Sequence, residues 1–379
     1  MVPSTAPRLQ GRALVMPAVL AAIWVFFTLM SRDFVSPRNL SMLMIELSVT
    51  ATLALGMLLI ILTGNIDLSA GSGVGLIGGI AAVLVFRADL PAPLALAAAL
   101  LVALLLWTAM GAIIVLNRIQ AFIITLGGLL AFKGLHWLVI RSQTVPVARG
   151  GQDNLFSLLT TYYLPPAAGW LLAGGLVALL VALQRRRRAA RRAAGLAVED
   201  REAAFLKAFV TAQAIALVVL VSGSYRGLPL SFLILCAVAA AVYVVTQHTP
   251  FGRYLYAIGG NEEAATLSGV PVKRVVIAAY TIMGGIVAVT GFLQTAYSGA
   301  TTTTVGELME LDAVAACVIG GASLRGGRGT VTGVLFGALI MASLLNGMTL
   351  LAVSPELKFI VRGAVLGLAV WADSRLAQK

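Results

Sequence analysis

The chain has 379 residues, of which 60% are hydrophobic and only 11% are charged, and its mean hydropathy is +0.97. Soluble domains are roughly half apolar and a quarter charged, so this composition excludes an ordinary soluble protein and indicates one embedded in a membrane. The net charge of +12 does not indicate a nucleic-acid partner, because Lys and Arg lie in short connections between apolar blocks rather than on a face with interleaved aromatics.

Apolar blocks of about twenty residues recur along the chain, and each can cross the ~30 Å hydrocarbon core as a helix that rises ~1.5 Å per residue. The first block is too long for a signal-peptide core and is followed by Ser31-Arg32-Asp33 rather than by small residues, which predicts an uncleaved first span. The block at 308–322 is too short to cross and predicts a broken or half-depth helix. The blocks lie at residues 13–30, 43–62, 68–86, 92–116, 119–140, 166–183, 205–222, 229–246, 275–297, 308–322, 331–351 and 357–373.

These blocks predict an all-α integral membrane protein, a single domain that forms a polytopic bundle of roughly 10–12 transmembrane helices. Basic residues alternate between the two sets of connections, and the richer set includes a cluster from Arg185 to Arg192. The positive-inside rule then predicts that both termini, an Arg-rich loop at about 184–204 and a loop at about 247–274 are cytoplasmic, and that 142–165 is periplasmic. A polybasic patch that binds membrane lipid is the alternative explanation of the cluster, and topology is the simpler one.

Two stretches of the chain resemble each other. In each, an apolar run leads to a polar segment and then to glycines at four-residue spacing, which let helices approach closely in lipid. Both copies have the same orientation in the predicted topology, which indicates a parallel internal repeat. The predicted helix-packing glycines are Gly71, Gly75 and Gly79 in the first copy and Gly329, Gly333 and Gly337 in the second.

Polar residues inside or beside apolar blocks need a reason, because they are costly in a membrane. We expect Asn65, Asp67 and Ser69 of the first copy, with Asp312 of the second, to line or gate a route for a polyhydroxylated solute. The alternative for each of them is a helix cap or a hydrogen bond between helices, and Asp67 and Ser69 have the right character to cap the helix that follows. Three further residues of this kind are Glu46, Gln294 and Asn346.

The connection between residues 247 and 274 predicts a short helix from Glu262 to Leu267, with Asn261 as its cap and Gly269 and Pro271 as its stop. A short rigid helix on a cytoplasmic loop is suited to docking a soluble partner, and an ordinary structured loop is the alternative. The residues assigned to this docking role are Gly252, Arg253, Asn261, Glu262, Glu263, Ala264, Ala265 and Gly269.

No catalytic constellation is present in the sequence. It has neither a G-x-x-x-x-G-K-[ST] phosphate loop nor a G-x-S-x-G motif, so an ATP-driven process would need another subunit. Cys236 and Cys317 lie inside apolar blocks without partners at metal-ligand spacing, and His136 and His248 have no obvious catalytic partners. We therefore expect neither an enzyme nor a metal or cofactor site in this chain.

Four segments of the sequence form a combined pattern. They are Asn65-Ile66-Asp67-Leu68-Ser69-x-Gly71-Ser72, Phe122-Ile123-x-Thr125-Leu126-Gly127, Gly252-Arg253-x3-Ala257-Ile258-Gly259-Gly260-Asn261-x-Glu263-Ala264-Ala265-x-Leu267-Ser268-Gly269, and Leu311-Asp312-Ala313-x-Ala315-Ala316-Cys317-Val318-Ile319-Gly320-Gly321. Together they resemble the permease subunits of monosaccharide ABC importers, of the ribose, xylose and galactose type. The resemblance covers about residues 15–374, and the connection Tyr225-Arg226-Gly227-x-Pro229 and the Arg-rich loop are most similar to the xylose type.

The resemblance implies a homodimer in the bacterial inner membrane that carries a monosaccharide, with D-xylose as the first candidate for the transported sugar. It also implies an ATPase subunit that binds ATP and Mg, and a periplasmic or lipid-anchored sugar-binding protein. Glu263-Ala264-Ala265-x3-Gly269 resembles the coupling-loop signature of ABC importers, although the usual downstream Ile-x-Leu-Pro is missing. An ion-coupled secondary transporter and a non-transporting membrane scaffold are the alternatives.

Overall fold

The computed structural model of the protein describes residues 8–150, 152–198 and 200–377. This part of the chain is predominantly helical. Its helices are α1 (Arg8–Met30), a 3-10 helix (Arg32–Val35), α2 (Pro37–Leu62), α3 (Ala70–Phe86), α4 (Ala92–Leu116), α5 (Ala121–Ile140), α6 (Leu155–Thr161), α7 (Pro166–Ala193), α8 (Arg201–Gly223), α9 (Leu230–His248), α10 (Pro250–Gly260), α11 (Glu262–Leu267), α12 (Val272–Ser298), α13 (Met309–Ile319), α14 (Val331–Leu350) and α15 (Pro355–Ala377).

Every predicted span coincides with a helix. Among the described residues, eight helices are long and apolar enough to cross a membrane, namely α2, α4, α5, α7, α8, α9, α12 and α14. The helix α13 has 11 residues and is therefore about 16 Å long, roughly half of the hydrocarbon core. The predicted all-α polytopic bundle is confirmed, and α13 has the length expected of a half-depth helix.

The centre of the bundle is α2. Every side chain from Ala51 to Leu62 is buried, because this stretch is apolar on all faces and α9, α12, α13 and α14 pack around it. Small residues bring the helices close together: a Cβ placed on Gly56 would lie 2.6 Å from the Sδ of Met283 in α12. Close van der Waals packing of this kind stabilises helix contacts in lipid.

Two antiparallel strand pairs tie the loops together at one end of the bundle. β1 (Val145–Pro146) pairs with β4 (Ala300–Thr301), and β2 (Tyr163–Leu164) pairs with β3 (Leu228–Pro229). We call this end, which carries the connections 31–36, 87–91, 141–165, 224–229, 299–308 and 351–354, the loop end. We call the opposite end, which carries the connections 63–69, 117–120, 194–200, 249–271 and 320–330, the basic end.

The polar turns of the two similar stretches meet at the basic end. Gly327 donates its backbone N–H to the carbonyl of Leu62 at 3.1 Å. A Cβ on Gly326 would lie 2.8 Å from the backbone nitrogen of Gly64. Because the turn after α2 and the turn after α13 lie at the same end, α2 and α13 run in the same direction, as a parallel repeat requires.

The Arg-rich connection is shorter than its predicted bounds of 184–204. Helix α7 continues to Ala193 and α8 begins at Arg201, so the cluster from Arg185 to Arg192 lies on the last turns of a helix rather than in a loop. Arg and Ala are both good helix formers, and a run composed of them extends the span into the aqueous phase. The connection 249–271 likewise contains a helix that was not predicted, α10, whose Thr249 side chain accepts from the N–H of Gly252 at 3.2 Å.

Candidate functional site

A cavity of about 550 Å³ lies in the half of the bundle next to the loop end, between α2, α12, α13, α14 and α15. Its size is typical of sites for small molecules, ~300–1,000 Å³. The segment between α12 and α13 forms one wall. The polar groups of its lining are Glu46, Thr50, Thr144, Gln294, Tyr297, Ser298, Thr302, Thr304, Glu307, Asp312, Thr349 and Arg362.

The carboxylate of Glu46 is held in a fixed position by two neighbouring helices. The hydroxyl of Tyr297 donates to its Oε1 at 2.9 Å, and the amide Nδ2 of Asn346 donates to its Oε2 at 3.1 Å. Asn346 in turn exchanges hydrogen bonds with Asn39 at 2.8 and 3.2 Å. The amide network thus links α2 to α14 and presents the carboxylate to the cavity.

Asp312 carries the second carboxylate of the cavity and has a cationic partner. Its Oδ1 lies 3.5 Å from the Nε of Arg362 in α15, and only 7% of the Asp312 side chain is exposed. Asp312 lies in the first turn of α13, where the N-terminal end of the helix dipole stabilises a negative charge. The helix begins after Leu308, which has a φ of 60° and turns the chain from the cavity wall into α13.

Hydroxyl groups line the cavity between these charges. Thr302 and Thr304 share a hydrogen bond of 3.1 Å, and Gln294 donates to Ser298 at 3.3 Å. The segment that carries the threonines is held by the pairing of β4 with β1, and the hydroxyl of Thr301 lies 3.0 Å from the Nε2 of His136. A hydroxyl both donates and accepts, so this surface can bind a ligand that has hydroxyls of its own.

The polar turn before α3 is packed into the bundle. Asp67 is fully buried and accepts three hydrogen bonds: from the backbone N–H of Ser69 at 2.9 Å, from the hydroxyl of Ser69 at 2.5 Å and from the indole of Trp107 at 2.7 Å. Ser69 occupies the cap position of α3 but makes no side-chain cap hydrogen bond. The arrangement satisfies a buried carboxylate and orders the start of α3.

Of the four residues expected along a route, the structure places only Asp312 on the cavity wall. Asp67 and Ser69 are fully buried outside it. Asn65 donates to Thr63 at 2.9 Å and lines a separate groove of about 800 Å³ at the basic end, beside Glu262 and Thr266. The four residues therefore do not form one site in this conformation.

The predicted docking helix is α11. The side chain of Asn261 accepts from the N–H of Ala264 at 2.9 Å, as expected of a cap, and Gly269 ends the element with a φ of 80°. Ala265 faces inward, while Glu262 and Glu263 are exposed. Gly252 and Arg253 lie in α10, where Gly252 is buried in close contact with the carbonyls of Val245 and Thr246 and Arg253 is exposed.

The segment that contains α10 and α11 touches the core of the bundle through glycine backbones. A Cβ on Gly259 of α10 would collide with the carbonyl of Leu62 and the backbone nitrogen of Gly327. The hydroxyl of Tyr256 donates to the carbonyl of Gly329 at 2.8 Å, and burial raises the pKa of this phenol above its usual value. These contacts join α10 to the end of α2 and to the turn before α14.

The glycines at four-residue spacing in the two similar stretches lie where helices approach closely. A Cβ on Gly79 would lie 2.8 Å from the ring of His136, and one on Gly75 would collide with the carbonyl of Val305. Gly71 leaves room for the carboxylate of Glu310 in the same manner. In the second copy, a Cβ on Gly333 would collide with the carbonyl of Gly320, and one on Gly337 would collide with the carbonyl of Ala316. Gly329 has a φ of 155° and packs on Leu58.

Tyr297 and Arg362, which contact the two carboxylates described above, are among the cavity residues that were not predicted. Arg362 was detectable, because it is the only charged residue between Lys358 and Asp373 in a predicted span, and a lone charge inside an apolar block indicates a function. Tyr297 carries no such signal, since a tyrosine near the end of a span is typical of the membrane interface.

Comparison with known proteins places the chain among transport permeases. Residues 39–370 match the family described as the branched-chain amino acid transport system / permease component. The chain is 39% identical over 369 residues to the xylose transport system permease protein XylH of Escherichia coli, which covers 97% of this chain and 92% of that protein. It is 37% identical over 366 residues to XylH of Haemophilus influenzae, 96% of each chain.

A ribose permease is similar at lower identity. The ribose import permease protein RbsC of Escherichia coli is 32% identical over 360 residues, which are 94% of this chain and 92% of that protein. No solved structure matches the chain.

Proposed function

The chain belongs to the family described as the branched-chain amino acid transport system / permease component, and from this membership we propose that it is the membrane-spanning subunit of an ATP-driven importer for a monosaccharide, with D-xylose as the first candidate. The permeases named for xylose and ribose match it over nearly their whole length, and identity is higher to the xylose permeases. Both observations support a pentose as the transported sugar.

The cavity between Glu46 and Asp312 is the structural observation that carries the proposal. A pentose presents hydroxyls around its ring, and each hydroxyl both donates and accepts hydrogen bonds. The cavity offers acceptors in the carboxylates, donors in Arg362 and Gln294, and groups of both kinds in its threonines. Each contact contributes about 1 kcal/mol, and weak contacts of this kind favour passage over retention.

The partners belong to the same proposal. The permease functions as a homodimer, with an ATPase subunit that holds ATP and Mg at the basic end and a sugar-binding protein at the loop end. The exposed α11 docks on the ATPase, and α10 transmits its movement through Gly259 to Leu62. The basic end faces the cytoplasm of a bacterium and the loop end faces the periplasm.

Reconstitution tests the proposal. The full chain is placed in proteoliposomes with a candidate ATPase subunit and a candidate sugar-binding protein, and uptake of labelled xylose, ribose and leucine is measured with and without ATP. We expect ATP-dependent uptake of xylose. Uptake driven by a proton or sodium gradient without ATP would instead indicate a secondary transporter. Uptake of leucine in place of either sugar would assign a different substrate, and ATPase stimulation without any uptake would indicate a scaffold.

A further inference from the structure

The helices α7 and α8 form a hairpin at the edge of the bundle, where α7 packs chiefly against α8 and α8 reaches α2. Towards the basic end the two helices leave a groove of about 760 Å³. Its floor on α8 consists of small side chains, Ala204, Ala208 and Ala212. The aromatic rings of Phe205 and Phe209 stack at 6.0 Å beside it, and 70% and 49% of these residues are exposed.

Arginines form the rim of this groove. Arg185, Arg188 and Arg192 lie at helical spacings of three and four, so they share the face of α7 that turns towards α8, and Arg201 adds a charge from the other helix. Among the residues that the structure describes, no carboxylate lies within 4.0 Å of the guanidinium nitrogens of these four arginines. Arg188 donates through one terminal guanidinium nitrogen to the backbone carbonyl of Asp200 at 3.3 Å, a contact that leaves its positive charge without a carboxylate partner in this part of the structure.

A hydrogen bond crosses the groove next to the arginines. The amide nitrogen of Gln184 donates to the carbonyl of Ala204 at 2.9 Å, which joins the two helices where the apolar part ends and the charged part begins. The groove is thus apolar on one side of this contact and basic on the other.

The depth of the arginines matches the phosphate level of a bilayer. Helix α7 begins at Pro166 with an apolar stretch, and about twenty residues at ~1.5 Å each cross the hydrocarbon core, which brings Arg185 to the opposite boundary. Phe205 and Phe209 then lie just below the headgroups, in the region where aromatic side chains are favoured.

We propose that the groove between α7 and α8 is a binding site for one anionic phospholipid, whose phosphate is held by Arg185, Arg188 and Arg192 and whose acyl chain lies along Phe205, Phe209 and the alanines. Basic pockets between membrane helices bind anionic headgroups in this manner. A topology signal alone requires basic residues at this end but not their alignment over an apolar groove. A soluble partner would leave the aromatic wall, at membrane depth, without a function.

The sequence provides a matched control for the test. Arg186 and Arg187 carry the same charges on the same turns of α7 but do not line the groove. The variants Arg185→Gln/Arg188→Gln and Arg186→Gln/Arg187→Gln each remove two positive charges, so general attraction to an anionic surface is weakened equally in both.

The full-length protein in phosphatidylcholine nanodiscs is exposed to phosphatidylglycerol with a photoactivatable acyl chain, and the crosslinked peptides are mapped. We expect crosslinks within 177–189 and 204–212 that unlabelled phosphatidylglycerol competes away and that phosphatidylcholine and inorganic phosphate do not. Arg185→Gln/Arg188→Gln reduces this crosslinking about tenfold, and the control pair reduces it less than about twofold.

Three results would overturn the proposal. Equal losses in the two variants would leave only general surface attraction. Equal competition by phosphatidylcholine would indicate unselective boundary lipid, and competition by inorganic phosphate would indicate a site for a free anion. Size-exclusion chromatography of each variant in detergent shows that the comparison is made between folded proteins.

Discussion

The indole Nε1 of Trp107 in α4 donates a hydrogen bond of 2.7 Å to the Oδ2 of Asp67, which lies forty positions earlier in the chain. Both residues are fully buried, so the polar turn before α3 is anchored to a neighbouring helix by a charge-assisted bond. The same carboxylate accepts two hydrogen bonds from Ser69 through Oδ1. Both carboxylate oxygens of Asp67 therefore accept hydrogen bonds from protein donors.

We predict that Asp67→Asn destabilises the protein. With its oxygen towards Ser69, the asparagine amide turns its NH₂ group towards the indole N–H of Trp107, and two opposed buried donors cost about 1–3 kcal/mol. The thermal midpoint of the purified protein in detergent measures the loss. Trp107→Phe removes one of the donors, so Asp67→Asn should cost less in that background than in the wild type.

The opposite pattern would support a role of Asp67 in gating. If Asp67→Asn keeps the wild-type thermal midpoint and reaches the membrane in normal amounts but fails to transport, the carboxylate is needed for movement rather than for folding. The same test applied to Asn65→Ala, at the edge of the groove beside Glu262, separates a role in the route from a cap.

The ion pair between Asp312 and Arg362 is expected to matter for transport as well as for folding. Asp312→Asn leaves a largely buried guanidinium without its counter-charge, which destabilises by about 3–5 kcal/mol, whereas Asp312→Asn/Arg362→Gln removes both charges and restores most of that stability. We predict that the double variant folds but imports sugar at least about tenfold more slowly, because two groups of the cavity wall are lost.

A surface ion pair of the same kind provides the control. Arg149 lies 2.8 Å from Asp89 at the loop end, and both side chains are about half exposed or more. Asp89→Asn should change stability by less than about 1 kcal/mol and leave uptake intact. Full uptake by the double variant of Asp312 and Arg362 would show that their pair is structural only.

The helices could be predicted because hydropathy is summed over about twenty residues and a single error is averaged out. α10 was missed although Thr249 and Pro250 form an ordinary helix start, since it is short and follows α9 without a loop. The role of Asp67 was harder to predict. A carboxylate in an apolar stretch is equally consistent with a route and with a buried anchor, and only the position of Trp107 distinguishes them.

The cavity could be predicted only in part, because its wall combines residues from five helices and two connections. Glu46 and Asp312 are polar residues in apolar blocks and were visible for that reason. That they share one cavity depends on how α2 packs against α13 and α14, which no local pattern encodes. The contact of Gly259 with Leu62 and Gly327 is likewise a meeting of three distant segments.

We predict that Gly259→Ala impairs coupling whereas Gly260→Ala does not. A methyl group on Gly259 collides with the backbone of Leu62 and Gly327, and overpacking of this kind costs about 1–3 kcal/mol. A methyl group on the adjacent Gly260 meets no atom within 4 Å. Stimulation of ATP hydrolysis by the sugar-binding protein, measured in proteoliposomes, should fall for the first variant and stay at the wild-type level for the second.

Stimulation of ATP hydrolysis at the wild-type level in both variants would mean that α10 does not transmit movement at this contact. Loss in both would point to the surface of α10 and α11 itself, since Gly260 is exposed. In that case Glu263→Lys, which reverses a charge on the exposed face of α11, should reproduce the defect without lowering the thermal midpoint.

The orientation of the bundle can be tested with single cysteines. Thr161, the last residue of α6 at the loop end, and Ala190, on the basic end of α7, are both exposed. Cys236 is exposed and is replaced by alanine, while Cys317 is fully buried and can remain. In intact spheroplasts an impermeant thiol reagent should label Thr161→Cys, and it should label Ala190→Cys only after permeabilisation, because basic connections stay in the cytoplasm.

Ser157 provides a control for accessibility in the same loop. Only 7% of it is exposed, and its hydroxyl donates to the carbonyl of Asn154 at 3.1 Å, so Ser157→Cys should react slowly with the reagent before and after permeabilisation. Fast labelling of Thr161→Cys with slow labelling of Ser157→Cys would show that the reagent reports on local exposure as well as on the side of the membrane. Labelling of Ala190→Cys in intact spheroplasts would show that the orientation is the reverse of the predicted one, and α11 would then be out of reach of a cytoplasmic ATPase.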